Sequence, residues 1–494
     1  MSDFAIAQTP FGPVRGARQS FGVCFLGVPY AAAPVGELRF SSPQPHQPWS
    51  EPRDATRHGP TAPYQLADFE ALDLAPLVGE GWIQGDDYLN LNIWTPDPTA
   101  SGLPVLVFIH GGAWTGGSGA APVHDGAAFA RDGVVCVTIN YRLGIDGFLP
   151  IPGVPTNLGL RDMIAALEWI QKGIAAFGGD PANVTVAGES AGAMSIGDLV
   201  TSPLAKGLFR RAIIQSGHGS MVRSIATNRK VVDRLAKMLG IPATIDGFRT
   251  VSAQAGLDAL DKVQQPAAKL DLRGPTGREP AYGLSKFLPV FGDDVIPVPP
   301  LRALEQGAGA EVDVLIGTNL EEMNIYLVPT GAKAKINGLL AWFILGKVEP
   351  KAGRMLKAYK REGEKAGDQL ARVLSDLVFR WPARVFAARH RGRTHFYEMG
   401  WRSPAFDGEL GACHAVEMPF VFDTLATGAG PKGFLGEAPP QALASSIHKI
   451  WVDYARDGTA PWPEYEPRTR QVYRLDLGEA VRDPDIPAAR LWRE

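Results

Sequence analysis

The chain has 494 residues, of which 45% are hydrophobic and 20% are charged, the balance of a globular enzyme rather than of a disordered chain. Lys and Arg together number 49 and Asp and Glu 52, so the net charge is -3, and no run of like charges is present. This charge pattern does not favour a nucleic-acid or polybasic membrane partner. We therefore expect the ligand to be a small molecule.

The cysteines Cys24, Cys136 and Cys413 are far apart and form no C-x-x-C pair. Their odd count predicts neither a disulfide framework nor a zinc cluster, and it favours a reducing compartment. The first residues, MSDFAIAQTPFGPVRG, lack the basic and continuous apolar regions of a secretory signal. We expect a cytoplasmic protein that uses neither a metal nor another cofactor.

The chain before residue 95 is rich in Gly, Pro and Trp, which indicates hairpins and loops that lead into a main sheet. Beyond it, apolar segments of strand length alternate with helical patterns. These segments are PVLVFI (104–109), VVCVTI (134–139), VTVA (184–187), AIIQ (212–215), VDVLIG (312–317) and THFYEM (394–399). The helix LRDMIAALEWIQKGIAAF (160–177) ends at two glycines, a typical helix stop. The order predicts an α/β fold with a mostly parallel, doubly wound sheet.

Residues from about 220 to 310 and from about 325 to 390 have mostly helical patterns, which we interpret as insertions over the active face of the sheet. The second insertion contains INGLLAWFILG (336–346), which is too short for a membrane span and predicts a buried helix. No internal repeat or linker interrupts the chain. We therefore predict one domain over residues 1–494.

A glycine-flanked serine follows the strand segment 184–187, where residues 188–192 read GESAG. At a strand-to-helix turn this G-x-S-x-G pattern is typical of a nucleophile elbow, in which small neighbours allow a strained backbone and an exposed hydroxyl. The alternative is a glycine-rich turn with a buried serine. We predict that Ser190 is a nucleophile.

A serine nucleophile that attacks a carbonyl needs N–H donors for the developing oxyanion. The segment HGGAW (110–114) follows the first apolar strand at its carboxyl end, where folds of this kind supply such donors. We predict that the donors are the backbone N–H groups of Gly112, Ala113 and Ala191. The alternative, a phosphate-binding loop, lacks the Lys-Ser/Thr pair of a P-loop.

The nucleophile also needs a base and an acid, and in folds of this kind they follow the serine in the order acid, histidine. The histidines left as candidates are His218, His390, His395, His414 and His448. His395 lies inside a strand pattern, His390 lies in an arginine-rich stretch typical of a surface, and His414 lies in a loop of small residues. Glu321 and Glu322 follow the strand segment 312–317, and either could orient the imidazole.

Several long segments match the motifs of one enzyme family in order. They are FLGVPYAAAPVGELRF (25–40), DDYLNLNIWTP (86–96), NYRLGIDGF (140–148) and NLGLRDMIAALEWIQKGIAAFGGDPANVTVAGESAGA (157–193). On these motifs the chain resembles the type-B carboxylesterases, the α/β-hydrolase group that includes cholinesterases and bacterial para-nitrobenzyl esterases. The resemblance implies an α/β-hydrolase fold and a serine hydrolase that cleaves carboxylic esters through an acyl-enzyme.

The resemblance also implies a role for each candidate residue. The matching positions are Ser190 as nucleophile, Glu322 as acid, His414 as base, and Gly112, Ala113 and Ala191 as oxyanion donors. The match selects Glu322 over Glu321. It further implies that Ser216, in the segment IIQSG, holds the acid, and that the carboxylate of Glu189 lies near the site.

The chain departs from the family pattern at several positions. Met323 and Ala415 stand where relatives usually have glycine after the acid and after the histidine. Pro63 and Tyr88 occupy the positions of a disulfide that closes a loop in secreted relatives. In cholinesterases that loop carries a choline-stacking tryptophan, and Trp82 is shifted from its position. Choline specificity is therefore not expected.

Two other functions fit the same sequence. One is a non-catalytic, cholinesterase-like binding protein, although such relatives lose members of the serine, acid and histidine set, which is complete here. The other is a serine amidase on the same fold. The substrate pocket depends on the helical insertions, and candidates for its wall are Trp114, Phe291 and Phe379.

Overall fold

The computed structural model of the protein describes residues 3–66 and 70–492. The strands are β1 Phe4–Thr9, β2 Gly12–Gln19, β3 Gly22–Pro29, β4 Arg53–Asp54, β5 Asn90–Thr95, β6 Leu103–Ile109, β7 Val135–Ile139, β8 Gly179–Glu189, β9 Arg211–Gln215, β10 Arg223–Ser224, β11 Val290–Phe291, β12 Asp313–Asn319, β13 Thr394–Met399, β14 Gln471–Arg474 and β15 Glu479–Arg482.

Helices fill the segments between the strands. They are α1 Ala75–Val78, α2 Ala127–Arg131, α3 Gly144–Phe148, α4 Leu158–Gly173, α5 Ala191–Thr201, α6 Ile225–Leu239, α7 Ile245–Arg249, α8 Ala253–Gln264, α9 Pro300–Glu305, α10 Asn324–Leu327, α11 Ala332–Lys335, α12 Gly338–Gly346, α13 Ala352–Tyr359, α14 Ala366–Ser375, α15 Trp381–Arg389, α16 Met418–Val421, α17 Leu425–Gly428, α18 Gln441–Asp457 and α19 Ala488–Leu491. A π-helical turn, Asp376–Arg380, joins α14 to α15. Short 3-10 turns lie at Gly36–Leu38, Pro122–His124, Ile174–Phe177, Pro203–Ala205 and Pro266–Ala268.

Among the described residues, 13 strands form one mixed sheet in the order β1-β2-β3-β5-β7-β6-β8-β9-β12-β13-β14-β15, with β4 beside β2, while β10 and β11 pair separately. The strands from β7 to β14 pair in parallel. The pairs β1–β2, β2–β3, β3–β5 and β5–β7 and the β14–β15 hairpin are antiparallel, whereas β4 pairs with β2 in parallel. Because parallel strands end at one edge, the loops after β6, β8, β9, β12 and β13 come together there.

Strand β6 shows how the centre of the sheet is buried on both faces. Val105, Val107 and Ile109 join the apolar core on one face, and Leu106 and Phe108 join the core on the other. A strand covered by helices on both faces needs a continuous apolar run rather than alternation. The predicted α/β architecture with a mostly parallel central sheet is confirmed.

The predicted strands and the first long helix are present with small shifts at their ends. Each apolar segment named from the sequence lies in a strand, and 184–187 lies within the longer β8. Helix α4 ends at Gly173, and a 3-10 turn leads to Gly178, whose φ of 84° is the left-handed conformation that favours glycine. The glycine stop therefore acts as predicted.

Two expectations about burial were wrong. The apolar segment 336–346 was predicted to be a buried helix, but α12 buries only Ala341 and Leu345, since α13 and α14 pack against one side of it. His390 was expected at the surface, but it is buried, and its ring nitrogens lie 2.8 Å from the Thr394 hydroxyl and 2.9 Å from the Gly309 carbonyl oxygen. In both places tertiary packing, rather than local composition, decides exposure.

Candidate active site

Ser190 occupies a sharp turn between β8 and α5. Its φ of 54° and ψ of -123° are strained for a residue with a side chain, and its N–H donates to the Gln215 carbonyl oxygen at 3.0 Å. Gly188 and Gly192 flank it because strand β6 is close. A Cβ atom on either glycine would crowd the carbonyl oxygen of Ile109. The G-x-S-x-G pattern is thus a packing requirement of this turn.

The loop after β6 lies beside Ser190. A Cβ atom on Gly111 would be 3.0 Å from the Ser190 Cβ atom. Gly112 and Ala113 follow with φ values of 106° and 55°, and their N–H groups have no acceptor within the described residues. Ala191 is the first residue of α5, where helix geometry leaves the N–H free of an intrahelical partner. The predicted oxyanion donors therefore lie on two elements that meet at Ser190.

Glu322 and His414 form a buried pair after β12 and β13. The Nδ1 atom of His414 lies 2.6 Å from Oε2 of Glu322. The other carboxylate oxygen, Oε1, accepts hydrogen bonds from the Ser216 hydroxyl at 2.7 Å and from the Asn319 N–H at 2.8 Å. Glu322 is completely buried. These bonds satisfy a buried carboxylate and fix the imidazole orientation.

Glu321, the other glutamate that the sequence left open, has a different environment. Its carboxylate pairs with the half-exposed Arg402 and accepts a hydrogen bond from the Ala412 N–H at 3.0 Å. It holds the chain that leads to His414 but makes no contact with the imidazole among the described contacts. The structure thus separates the two neighbouring glutamates by their partners.

The outer nitrogen of His414 faces Glu189. Nε2 lies 3.0 Å from Oε1 of Glu189, and within the described part of the chain neither atom makes a hydrogen bond. Burial disfavours the charged imidazole, but the carboxylates of Glu189 and Glu322 outweigh burial and raise the pKa of His414 to about 9. Burial, opposed by His414, raises the pKa of Glu189 to about 8. The pair therefore holds protons more tightly than isolated side chains would.

The other candidate histidines have partners elsewhere. His218 bonds the Val378 carbonyl oxygen at 2.7 Å, His390 contacts Thr394 and Gly309, His395 lies edge-on to the rings of Tyr454 and Trp462, and His448 bonds the Val421 carbonyl oxygen at 2.7 Å. Only His414, of the five, contacts a glutamate carboxylate among the described residues.

The sequence model of the Carboxylesterase family matches residues 3–486. The chain belongs to the carboxylesterase family. It is 34% identical over 501 residues to the para-nitrobenzyl esterase of Bacillus subtilis (strain 168), covering 97% of this chain and 96% of the relative. It is 33% identical to the phenmedipham hydrolase of Pseudarthrobacter oxydans, covering 92% and 90%. The crystal structure of a Geobacillus stearothermophilus carboxylesterase superimposes with a TM-score of 0.81, at 33% identity and 98% coverage of both chains.

These comparisons confirm the resemblance and the α/β-hydrolase fold. This carboxylesterase is a carboxylic-ester hydrolase. The described residues include no helix that is both long and apolar enough to cross a membrane.

The two replaced glycines of this carboxylesterase have different backbones. Met323 has an ordinary helical φ of -77° before α10, so a side chain is tolerated there. Ala415 has a φ of 63°, the left-handed region where glycine is favoured. At the positions of the relatives' disulfide, Pro63 and Tyr88 line one small cavity. Residues 67–69 of the neighbouring loop, which ends at Trp82, lie outside the described residues.

The three predicted wall residues have different places. Trp114 is buried in the core, and its indole N–H donates to the Ser195 hydroxyl at 3.0 Å. Phe379 lies on the π-helical turn with its ring centroid 4.6 Å from that of His414. Phe291 lines a cavity of about 370 Å³ that also touches His218. Of these three, only Phe379 contacts a predicted triad residue among the described contacts.

A second cavity, of about 510 Å³, lies against the β6 loop. Gly112 is in its wall, together with apolar side chains from the loop before β5 and from α8. The apolar members are Leu66, Leu74, Val78, Leu257 and Leu260. Among the described residues, the 370 Å³ cavity contains no predicted triad or oxyanion residue in its wall, although Val378 of that wall precedes Phe379 in the chain. One mainly apolar chamber therefore borders the candidate site at Gly112.

Sequence reasoning missed a polar cluster behind the site. Asn319 donates from its amide to Glu417 at 2.6 Å, and Gln215 donates to the same carboxylate at 3.2 Å. Burial and the nearby Glu322 raise the pKa of Glu417. Tyr326, whose hydroxyl faces the Ser190 side chain, was also missed. Tyr326 stands one helical turn after Glu322, a spacing that could have indicated it.

Metal ligands were not expected from the sequence. Among the described residues, no three His, Cys, Asp or Glu side chains are grouped so that they could hold a metal ion. Cys24, Cys136 and Cys413 are buried free thiols.

Proposed function

We propose that Ser190, His414 and Glu322 form the catalytic triad with which this carboxylesterase cleaves esters. The observation that supports this most is the 2.6 Å bond between Glu322 and His414 Nδ1, which leaves Nε2 without a hydrogen-bond partner within the described residues. A base for a serine requires a histidine that is anchored through one ring nitrogen and can accept a proton on the other. The strained turn at Ser190 supports the same role.

In the first step, the Ser190 hydroxyl oxygen attacks the ester carbonyl carbon while His414 Nε2 takes the hydroxyl proton. The imidazolium that forms is stabilised by Glu322, which keeps its negative charge. The carbonyl oxygen becomes an oxyanion, and the N–H groups of Gly112, Ala113 and Ala191 donate to it. These donors are held by backbone geometry, so they need no reorganisation during the reaction.

In the second step, His414 gives its proton to the alcohol oxygen, and the C–O bond to the alcohol breaks to leave the acyl-enzyme. Water then attacks the acyl carbon as His414 removes a water proton. His414 gives that proton to the Ser190 oxygen as the acyl–oxygen bond breaks, so the carboxylic acid leaves and the serine hydroxyl is restored. Throughout, Ser216 and Asn319 hold the Glu322 carboxylate. These two hydrogen bonds satisfy one oxygen of the buried carboxylate and keep the other directed at His414.

Glu189 acts on the site through charge. Its carboxylate lies close to Nε2 of His414 and contributes to the raised pKa of the imidazole. We propose that Glu189 stabilises the imidazolium formed during attack. For the same reason, His414 loses its proton and becomes available as a base only at a higher pH. Its own raised pKa makes this effect dependent on pH.

The chamber beside Gly112 supports a substrate with an apolar group next to the ester. That group would lie against Leu257 and Leu260. Apolar walls favour uncharged, hydrophobic groups over polar ones. We propose that the enzyme prefers esters with an apolar group on the side that enters this chamber.

We further propose that the chain forms one domain and acts in the cytoplasm. The continuous sheet, to which strands from both ends of the sequence contribute, supports a single unit. The three buried free thiols support a reducing compartment.

The triad proposal is tested by labelling with an aryl phosphonate, which reacts covalently with an activated serine. We expect one mole of label per mole of protein, on the peptide that contains Ser190, with complete loss of ester turnover. The Ser202→Ala variant is the control, because Ser202 is a buried serine just after α5. Label on another serine, or full turnover after stoichiometric labelling of Ser190, would overturn the assignment.

A further inference from the structure

Helix α12 exposes a group of large apolar side chains. Leu339 is 76% exposed, Trp342 53%, Phe343 51% and Leu340 39%. Only Ala341 and Leu345 of this nine-residue helix are buried. Single exposed apolar residues are common, but four within one short helix form a patch, and such patches mark interaction sites.

The surroundings of α12 are strongly basic although the whole chain is slightly acidic. Between residues 333 and 365 the basic residues are Lys333, Lys335, Lys347, Lys351, Arg354, Lys357, Lys360, Arg361 and Lys365, and the acidic residues are Glu349, Glu362 and Glu364. Glu349 and Glu364 are paired with Arg278 and Arg372, so they neutralise little of this charge, whereas Lys333 is paired with Asp368. The patch therefore has a positive rim.

The apolar and basic parts of this surface are adjacent in space. The Lys347 amine lies 4.3 Å from the centre of the Phe343 ring. Lys357, Lys360 and Arg361 are exposed on α13 and the loop after it, and α13 packs against α12. Trp, Phe and Leu beside a ring of Lys and Arg is the composition of helices that lie in the interface of a membrane.

We propose that α12 and its basic rim dock on an anionic phospholipid surface. The exposed apolar side chains would enter the boundary between headgroups and acyl chains, while the rim contacts lipid phosphates. At 1.5 Å per residue, a nine-residue helix is only about 14 Å long, so it lies in the surface and does not span it. This docking is independent of the ester chemistry proposed above.

The charge of the rim decides between occupants of the patch. A second copy of the chain, seated face to face on α12, would bring two positive rims together, and like charges across an interface are unfavourable. An anionic lipid surface has the complementary charge. The whole-chain charge and the lack of a continuous run of basic residues predicted no polybasic membrane partner. The basic residues around α12 escape that criterion because apolar residues separate them in the sequence.

The test is sedimentation of the full-length protein with vesicles of phosphatidylcholine alone or mixed equally with phosphatidylglycerol. We expect binding to the mixed vesicles that weakens as salt is raised, and little binding to phosphatidylcholine alone. The triple variant Leu339→Ser/Trp342→Ser/Phe343→Ser should bind mixed vesicles at least about tenfold more weakly. The triple variant Lys347→Glu/Lys357→Glu/Lys360→Glu should lose a similar factor.

Matched controls separate the patch from general surface properties. Leu477→Ser removes an apolar side chain that is 55% exposed in the β14–β15 turn, and Lys172→Glu reverses an exposed charge on α4. Both controls should bind like the parent protein, and every variant should hydrolyse a soluble aryl acetate at the parent rate. Absence of binding to mixed vesicles, or equal binding by parent and patch variants, would overturn the proposal. A dimer of the parent protein that the Leu339→Ser/Trp342→Ser/Phe343→Ser variant dissociates would also overturn the proposal, because the patch would then be occupied by a second copy.

Discussion

The sheet edge and the helical segment from α10 to α15 meet at His414 but are built in different ways. At the sheet edge, Ser190 and Glu322 are held by backbone and side-chain hydrogen bonds from neighbouring strands. In the helical segment, Phe379 reaches the imidazole through ring contact, and α12 exposes most of its apolar side chains. In our proposals the first region performs the ester chemistry, and the second provides a surface for docking.

The largest expected effects come from the nucleophile and the base at the sheet edge. Ser190→Ala and His414→Ala should each lower kcat/KM for an aryl ester by about 10⁴-fold or more, because base and nucleophile act as a unit. The double variant should be no worse than either single variant. Multiplying losses in the double variant would show that the two residues act separately and would contradict the proposed triad.

The next effect distinguishes the two adjacent glutamates. Glu322→Gln should lower kcat by about 10³-fold to 10⁴-fold, because an amide cannot stabilise the imidazolium and favours the wrong tautomer of His414. Glu321→Gln is the matched control, and it should change kcat by less than about threefold because that carboxylate pairs with Arg402. Steady-state kinetics on a soluble ester measures both. A larger loss in the control than in Glu322→Gln would reverse the assignment.

The sheet edge could be predicted from sequence because its physical requirements are local. Gly188 and Gly192 must be small to pass Ile109, and a strand-to-helix turn can be recognised in a short window. The choice of His414 among five histidines needed the family resemblance, because local sequence carries no information on which loop faces Ser190. In the structure, the loop that carries His414 lies beside the end of β12, where the backbone N–H of His414 donates to the backbone carbonyl oxygen of Glu322.

The helical segment was harder to predict because exposure there depends on neighbours distant in sequence. The apolar composition of α12 is typical of a buried helix, and only the positions of α13 and α14 reveal that one side is open. The same limit applies to Trp114, whose indole bonds Ser195 in the core, and to Glu417, whose amide partners come from β9 and β12. Such contacts have no signature within one segment.

A smaller effect concerns the pH dependence set by Glu189. Only unprotonated His414 accepts the Ser190 proton, so kcat/KM should rise with pH as the imidazole loses its proton. The carboxylate of Glu189 contributes to holding the pKa of His414 near 9. Glu189→Gln removes that negative charge and should lower the pKa, which moves the rising limb of the kcat/KM profile to lower pH by roughly one unit or more.

The Glu189 prediction is checked by kcat/KM profiles between pH 5 and 10, with Glu321→Gln as the control of equal charge change. The control should leave the limb in place, since Glu321 does not contact the imidazole. A limb that moves to higher pH in Glu189→Gln, or that moves equally in both variants, would show that Glu189 does not set the protonation of His414.

The smallest expected effect is a change in stability at Ala415, the residue after His414. It tests whether the backbone there is strained without affecting the ester chemistry. Ala415 has a φ of 63°, where a Cβ atom costs about 1 kcal/mol relative to glycine. Ala415→Gly relieves this strain but increases the conformational entropy of the unfolded chain, so a net gain of roughly 0.5 kcal/mol in the free energy of unfolding is expected.

Met323→Gly is the contrasting variant. Met323 has an ordinary φ and a buried side chain, so its loss should destabilise the protein by about 2 kcal/mol or more. Urea unfolding measures both changes, and ester turnover by Ala415→Gly should stay within about twofold of the parent. If Ala415→Gly were destabilising, the left-handed backbone would have to be held by contacts of the Ala415 methyl group, and the family glycine would not be explained by strain.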